Sequence, residues 1–280
     1  MIRLYNMSSG IIIEKNKEHF LIEHRSWDDV VNTPDLYSWL ESWIKKDLQL
    51  DSLTWASYGD KILAPIQSQE VWASGVTYLR SRDARMEESE HAKSAYDLVY
   101  EADRPELFFK SLPHRVAGPH QKVNIRKDST WNVPEPELTL FINSSGHIAG
   151  YTCGNDMSSR SIEGENTLYL PQAKTYERSA ALGPCLLILN HPIDSSTTIN
   201  LKIFRQNDCV FQGHTRLNTM KRKLEDLKDY LLRGLKFEYG CYLMTGTGVV
   251  PPTTFTLNGG DVVEISIDGI GVLENEVAWF

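Results

Sequence analysis

Val133-Pro-Glu-Pro-Glu-Leu138 places two carboxylates, Glu135 and Glu137, at the start of an apolar run that continues through Leu140, Phe141 and Ile142. The run reads as a strand. Residues i and i+2 of a strand share a face, so Glu135 and Glu137 point the same way. Two like charges held that close repel. Any fold of this chain must supply a relief: a raised pKa with a shared proton, a cation between the pair, or an open edge where both meet water. Pro136 is compatible with the edge, because proline inside a sheet marks one. Spacing alone leaves these alternatives open.

Asp156 follows the next apolar run, Ile148 to Tyr151. A hairpin turning at Asn143-Ser-Ser-Gly146 would return it to the pair. Three carboxylates without a neighbouring Cys or His form an oxygen-only ligand set. Such a set suits a hard ion, Mg2+ first, then Mn2+ or Ca2+.

The remainder of the chain bounds the partners. Its 280 residues allow one large domain or one and a half. Twenty-nine Lys and Arg against 37 Asp and Glu give a net charge of −8. That acidity argues against nucleic acid or an anionic membrane as the main partner, and permits a small anionic substrate. Cys153, Cys185, Cys209 and Cys241 lie in or beside apolar runs and form no CxxC, as expected of reduced core residues in a cytoplasmic protein. The first residues show no charged-then-apolar signal pattern, and no run of about 18 apolar residues occurs.

Taken in order, residues 1–65 read as a small separate α+β domain, with strands over Arg3–Ile13 and Phe20–Ile22 and a helix over Asp35–Leu50. Residues 66–280 form the main domain. Strands are predicted over 71–76, 104–110, 123–125, 181–189, 198–205, 262–267 and 270–273, besides the Glu-x-Glu strand and its partner. Helices are predicted over 84–102 and 219–233, the latter capped by Asn218 and stopped by Gly234. The fold class is α+β, strand-rich, with a large curled mixed sheet. Glu87, Glu88, Glu90, His91 and Lys93 read as a solvated helix face. Of Arg80, Arg82 and Arg85, the first two are kept as anion-neutralising candidates. Glu106, Phe108 and Lys110 share one strand face, as a site wall or as a surface ion pair. The glycines of Thr245-Gly-Thr-Gly suit close backbone approach to an oxyanion, or a plain turn.

Several motifs, taken together, carry a resemblance. Glu135-Pro-Glu137, Gly150-Tyr-Thr-Cys-Gly-Asn-Asp156-Met-Ser-Ser-Arg160, Lys174, Leu182-Gly-Pro184 and Thr245-Gly-Thr247 resemble the fumarylacetoacetate hydrolase family in order and spacing, over roughly residues 70–280. The resemblance implies Mg2+ or a similar ion on Glu135, Glu137 and Asp156, and Lys174 beside the substrate. Hydrolases of that family usually carry a histidine three residues after the tyrosine of the first catalytic loop. Here that position is Ser81, and His91 lies ten residues further on. The departure argues against hydrolysis of a carbon–carbon bond.

Arg104-Pro-Glu106-Leu-Phe-Phe-Lys110, Glu165-Asn-Thr-Leu-Tyr-Leu-Pro-Gln-Ala-Lys174 and the Met220-Lys-Arg-Lys segment are similar instead to sugar-acid dehydratases of the same family. This implies Glu106 and Lys174 as the catalytic acid–base pair. Lys110, Arg82, Thr245, Gly246 and Thr247 become the substrate-binding candidates. The reaction implied is loss of water from a 2-keto-3-deoxy sugar acid, 2-keto-3-deoxy-D-arabinonate first, to give 2,5-dioxopentanoate. A lysine near a metal and other cations would have a lowered pKa and could serve as base. The alternative is a hydrolase or decarboxylase of a β-diketo or oxo acid on the same metal triad; a third is a non-catalytic ligand-binding protein. The partner implied is a small 2-keto acid, and family habit implies a homodimer or homotetramer.

Overall fold

The computed structural model describes residues 1–44, 48–51, 62–88 and 93–280. Its N-terminal meander is β1 (Ile2–Met7), β2 (Gly10–Lys15) and β3 (Glu18–Ile22). The single strand expected over Arg3–Ile13 is broken by a turn at Ser8-Ser9. Two short helices follow, Trp27–Val31 and Leu36–Trp43, each capped by the side chain before it, Ser26 and Asp35. The helix expected over Asp35–Leu50 stops at Trp43, and Gln49–Leu50 is β4. Residues 45–47 lie outside the described residues.

β5 (Glu70–Gly75) leads to the helices Leu79–Glu88 and Lys93–Glu101 and then to β6 (Glu106–Ser111). The helix expected over 84–102 starts five residues earlier, at Leu79, and is helical over Leu79–Glu88 and Lys93–Glu101; residues 89–92 lie outside the described residues. Short strands β7 (Val116–Ala117), β8 (Val123–Ile125) and β9 (Asn132–Val133) precede β10 (Pro136–Ile142) and β11 (Ile148–Asp156). β12 (Ser158–Ser159) and the helices Arg160–Glu165 and Leu170–Lys174 come next, then β13 (Ala180–Ile188), β14 (Thr198–Arg205) and β15 (Asp208–Arg216). The helix Leu224–Leu232 and strands β16 (Cys241–Met244), β17 (Val262–Ile267) and β18 (Gly271–Trp279) complete the chain.

Among the described residues the strands form one large mixed sheet, ordered β4-β3-β2-β1-β13-β11-β10-β16-β5-β6 with β7 beside β13. A second sheet is ordered β15-β14-β17-β18-β8. The central strands are buried on both faces. In β13, Ala181, Cys185 and Leu187 join the core between the two sheets, while Leu182, Leu186 and Ile188 join the core beneath the N-terminal helices. Residues 1–65 do not stand apart from the main sheet as the sequence reading expects. β1 pairs with β13, Ile2 opposite Ile188 and Leu4 opposite Leu186, so the N-terminal unit extends that sheet.

Three further expectations are corrected. The helix expected over Thr219–Arg233 is helical only from Leu224, and its cap position is Lys223 rather than Asn218. Met220 bridges to Tyr78 and the Lys221 amide donates to the Thr77 carbonyl at 2.9 Å, which pulls this segment out of the helix. β15, not foreseen, pairs with β14 across a two-residue turn in which Gln206 and Asn207 both take positive φ. Cys209 on that strand is exposed, whereas the other three cysteines are buried; all four are free thiols.

Candidate active site

β10 and β11 form the hairpin foreseen at 143–146, with Glu137 opposite Gly154. The Asp156 amide donates to the Glu135 carbonyl at 3.0 Å, carrying the pairing one step past the end of β10. Glu135, Glu137 and Asp156 each bring one carboxylate oxygen to within 4.8 Å of the others. All three residues are buried, so the open-edge alternative does not hold.

Among the described residues, four cations are packed around them. Lys174, at the end of its helix, donates to Glu135 Oε2 at 2.5 Å, Asp156 Oδ2 at 3.1 Å and Ser158 Oγ at 2.5 Å. Lys110 on β6 faces Asp156 Oδ1 at 2.6 Å and donates to the Met157 and Lys174 carbonyls. Arg160 donates to Glu135 Oε1 at 2.6 Å, and Arg85 reaches the same oxygen at 3.2 Å. Arg85 also pairs with Glu163. Unpaired charges this deep would be strongly unfavourable, and nearly every one here has a partner.

Glu137 is the exception. Its carboxylate accepts from the Gly246 amide at 2.6 Å. Among the described residues, no Lys or Arg lies within ion-pair distance of it. Burial, then Asp156, then Glu135 push its pKa well above the usual carboxylate range. Burial would raise Glu135 too, but Lys174, Arg160 and Arg85 outweigh it and hold Glu135 well below that range. A buried oxygen-only triad with one carboxylate lacking a cation fits a hard divalent ion.

Lys174 differs from expectation. Burial would lower its pKa, but Asp156, Glu135 and Glu163 raise it further, so the protein's own groups hold it protonated. It also lies directly between two triad carboxylates rather than beside an independent metal site.

A narrow cavity of about 10 Å³ opens over Glu135, Glu137 and Lys174. Glu106, Phe108, Arg85, Glu163, Leu170 and Thr247 line it. Glu106 does not pair with Lys110, which is spent on Asp156. Burial raises the Glu106 pKa; Arg85 opposes and Glu163 adds to the rise. Its carboxyl occupies the space in front of Gly75, its cross-strand partner. A Cβ on Gly75 would sit 1.9 Å from Glu106 Oε2. Gly75→Ala should therefore swing the Glu106 carboxyl aside at little cost in stability, since the obstructing atom ends a flexible chain. We expect kcat to fall on the order of 10²-fold, the scale of a misplaced reacting group. The melting temperature and divalent-ion affinity should hold. Unchanged kcat in Gly75→Ala would remove Glu106 from the chemistry.

The substrate-binding candidates separate. Thr247 lines the cavity. Gly246, at φ +92°, aims its amide at Glu137, and a side chain there would collide with Thr77. Thr245 is buried and donates to the Leu138 carbonyl, a buttress rather than a contact surface. Lys110 is wholly buried behind Asp156. Arg82 points elsewhere: it pairs with Asp83 and Asp97 and lies over the Tyr100 ring, and it is not part of the cavity wall. The reason is helical phase. Ser81, Ala84 and Arg85 form the buried face of Leu79–Glu88, and Arg82 falls outside it. Ser81 accepts from the Tyr78 amide and donates to its carbonyl at 2.7 Å. His91 lies outside the described residues. The sequence reading missed Arg85, Glu163 and Ser158 and assigned Arg160 no role. The spacing of Tyr78, Ser81 and Arg85, apart by three and four, was the available signal.

Known proteins resemble this chain over most of its length. The family model for the C-terminal part of fumarylacetoacetate (FAA) hydrolase matches residues 71–278. A probable 2-keto-3-deoxyxylonate dehydratase of Haloferax volcanii is 44% identical over 218 residues, 76% of this chain and 73% of that protein. The 2-dehydro-3-deoxy-D-arabinonate dehydratase of Saccharolobus solfataricus is 41% identical over 219 residues, with the same coverage. Among solved structures, a 2-keto-3-deoxy-D-arabinonate dehydratase complexed with magnesium and 2,5-dioxopentanoate superposes with a TM-score of 0.84 at 32% identity, covering 100% of this chain and 99% of that one.

Proposed function

The chain belongs to the fumarylacetoacetate hydrolase family, and from that premise we propose that it is a magnesium-dependent dehydratase converting 2-keto-3-deoxy-D-arabinonate to 2,5-dioxopentanoate and water. The observation that carries the reading is the cavity, where Glu106 and Lys174 stand over a buried carboxylate triad. Glu135, Glu137 and Asp156 hold Mg2+, which supplies Lewis acidity toward the substrate's keto group. Glu106 takes the C3 proton; a raised pKa makes it a stronger base than an ordinary carboxylate. The electron pair left at C3 expels the C4 hydroxyl, which leaves as water with a proton from the Lys174 ammonium. The C3=C4 bond so formed shifts to C4=C5 as C5 loses a proton and C3 regains one. The C5 enol then ketonises to the aldehyde. Ser158, bonded to Lys174, fixes the direction of the ammonium.

The hydrolase alternative finds less support, because the Ser81 hydroxyl is already bonded to the Tyr78 backbone and does not offer a base for water. The match beginning at residue 71 supports reading 66–280 as the catalytic domain and 1–65 as a small N-terminal addition to its sheet. No helix of the described residues is long and apolar enough to cross a membrane. Three buried free thiols accord with a cytoplasmic enzyme, and the reading includes a homodimer or homotetramer.

Glu106→Gln tests the assignment. It should lower kcat about 10²-fold or more, the scale of a lost acid–base group, and leave Mg2+ affinity intact. A base must be ionised to act, so wild-type kcat/KM should rise with pH through the raised Glu106 pKa, above the ordinary carboxylate range. That acid limb should be absent from the residual activity of Glu106→Gln. Wild-type kcat in this variant would refute the role.

A further inference from the structure

Building on that reading of the cavity, we infer that Arg85 receives the carboxylate of the 2-keto acid and that Glu163 positions it. A carboxylate entering so enclosed a space must be paired. Of the four cations, Lys110 lies behind the triad, its ammonium spent on Asp156 and the Met157 and Lys174 carbonyls. Lys174 is held on Glu135, Asp156 and Ser158 and is committed in the proposed reaction to the C4 hydroxyl, at the other end of the reacting bond from the carboxylate. Arg160 is 1% exposed, bonded to Glu135 and not part of the cavity wall.

Arg85 is on that wall and carries five N–H donors in a planar fork that matches a carboxylate edge. Its bond to Glu135 is the longest of the three that Glu135 receives, at 3.2 Å against 2.6 Å from Arg160 and 2.5 Å from Lys174. Turning that edge of the guanidinium to a substrate leaves Glu135 paired. The other edge stays on Glu163, which fixes the plane of the fork. Arg85 comes from the helix Leu79–Glu88, whereas the triad comes from β10 and β11 and the residues at their ends. A carboxylate held at Arg85 therefore ties helix to sheet.

The test uses the full chain with Mg2+ and 2-oxobutyrate, a 2-keto acid with no C4 hydroxyl to lose. Calorimetry should show Arg85→Gln binding it 10- to 100-fold more weakly, roughly the loss of a bidentate charged pair. Arg85→Lys should recover part of the affinity, as a point charge without the fork. Glu163→Gln should give an intermediate loss that appears in KM more than in kcat. Mn2+ affinity without keto acid, read by electron paramagnetic resonance, should stay within about threefold, because Arg160 and Lys174 still hold Glu135. Unchanged 2-oxobutyrate affinity in Arg85→Gln overturns the inference, as does a parallel fall in Mn2+ affinity. If Arg85→Gln does not fold, Arg85→Lys decides alone, and wild-type affinity there overturns it. Wild-type protein that binds 2-oxobutyrate yet makes no aldehyde from 2-keto-3-deoxy-D-arabinonate sinks the dehydratase reading and leaves the binding test of Arg85 standing. Wild-type protein that does not bind 2-oxobutyrate sinks the inference itself.

Discussion

Glu137→Gln should abolish turnover without weakening the metal-free fold. Glu137 is the triad carboxylate with no cation at ion-pair distance among the described residues, and its charge is held off by burial, Asp156 and Glu135. Glutamine keeps the shape and can still accept from the Gly246 amide. The lost charged ligand removes several kcal/mol of Lewis-acid stabilisation, so kcat/KM should fall by about 10³-fold or more. The stability effect has a defined sign. Folded Glu137 keeps its proton above 4.5, the ordinary value at which the unfolded residue releases it. Stability of the metal-free protein therefore falls as pH rises from that value through the raised one, and the glutamine variant lacks this loss. Melting curves at pH 5 and pH 8 with EDTA and with Mg2+ would show it. A variant that melts well below wild type in EDTA, or that is still stabilised by Mg2+ as wild type is, would contradict the account of the triad.

Lys174→Met should move turnover and metal affinity in opposite directions. The ammonium contacts Glu135 and Asp156, so its removal leaves two buried carboxylates with fewer cations. Breaking a buried ionic network this way costs about 3–5 kcal/mol in the metal-free protein. The same surplus negative charge should tighten Mg2+ binding and let Mg2+ restore much of the stability. Turnover should fall about 10²- to 10⁴-fold, because the proton donor to the leaving hydroxyl is gone. Calorimetry with Mg2+ and single-turnover rates at saturating Mg2+ separate the two effects. Weaker Mg2+ binding alongside lost turnover would make Lys174 a support for the metal rather than a proton carrier.

What the sequence disclosed and withheld follows from how local each cause is. The triad was legible because two of its members are fixed by strand alternation and the third by a short hairpin, all within 135–156. β14 was legible end to end, as a run bounded by turn residues. Arg85 was not, because its neighbours in sequence are charged and its neighbours in space are Glu135 and Glu163, fifty and more residues away. Choosing Arg82 over Arg85 missed the inward face by a fraction of a helical turn. The direction of the Lys174 pKa was missed for a similar reason. The sequence reading set it near a metal and other cations, whereas folding surrounds it with carboxylates. The early start of the 219–233 helix failed because Met220 and Lys221 are claimed by the loop at Thr77 and Tyr78, a contact no local propensity encodes.

The most direct test is product analysis with metal control. Protein stripped with EDTA is mixed with 2-keto-3-deoxy-D-arabinonate, Mg2+ is then added, and the mixture is followed by carbon nuclear magnetic resonance. The account predicts no change before Mg2+ and, after it, conversion to 2,5-dioxopentanoate with all five carbons retained. Release of CO2, cleavage into two fragments, or full turnover in the stripped protein would contradict it.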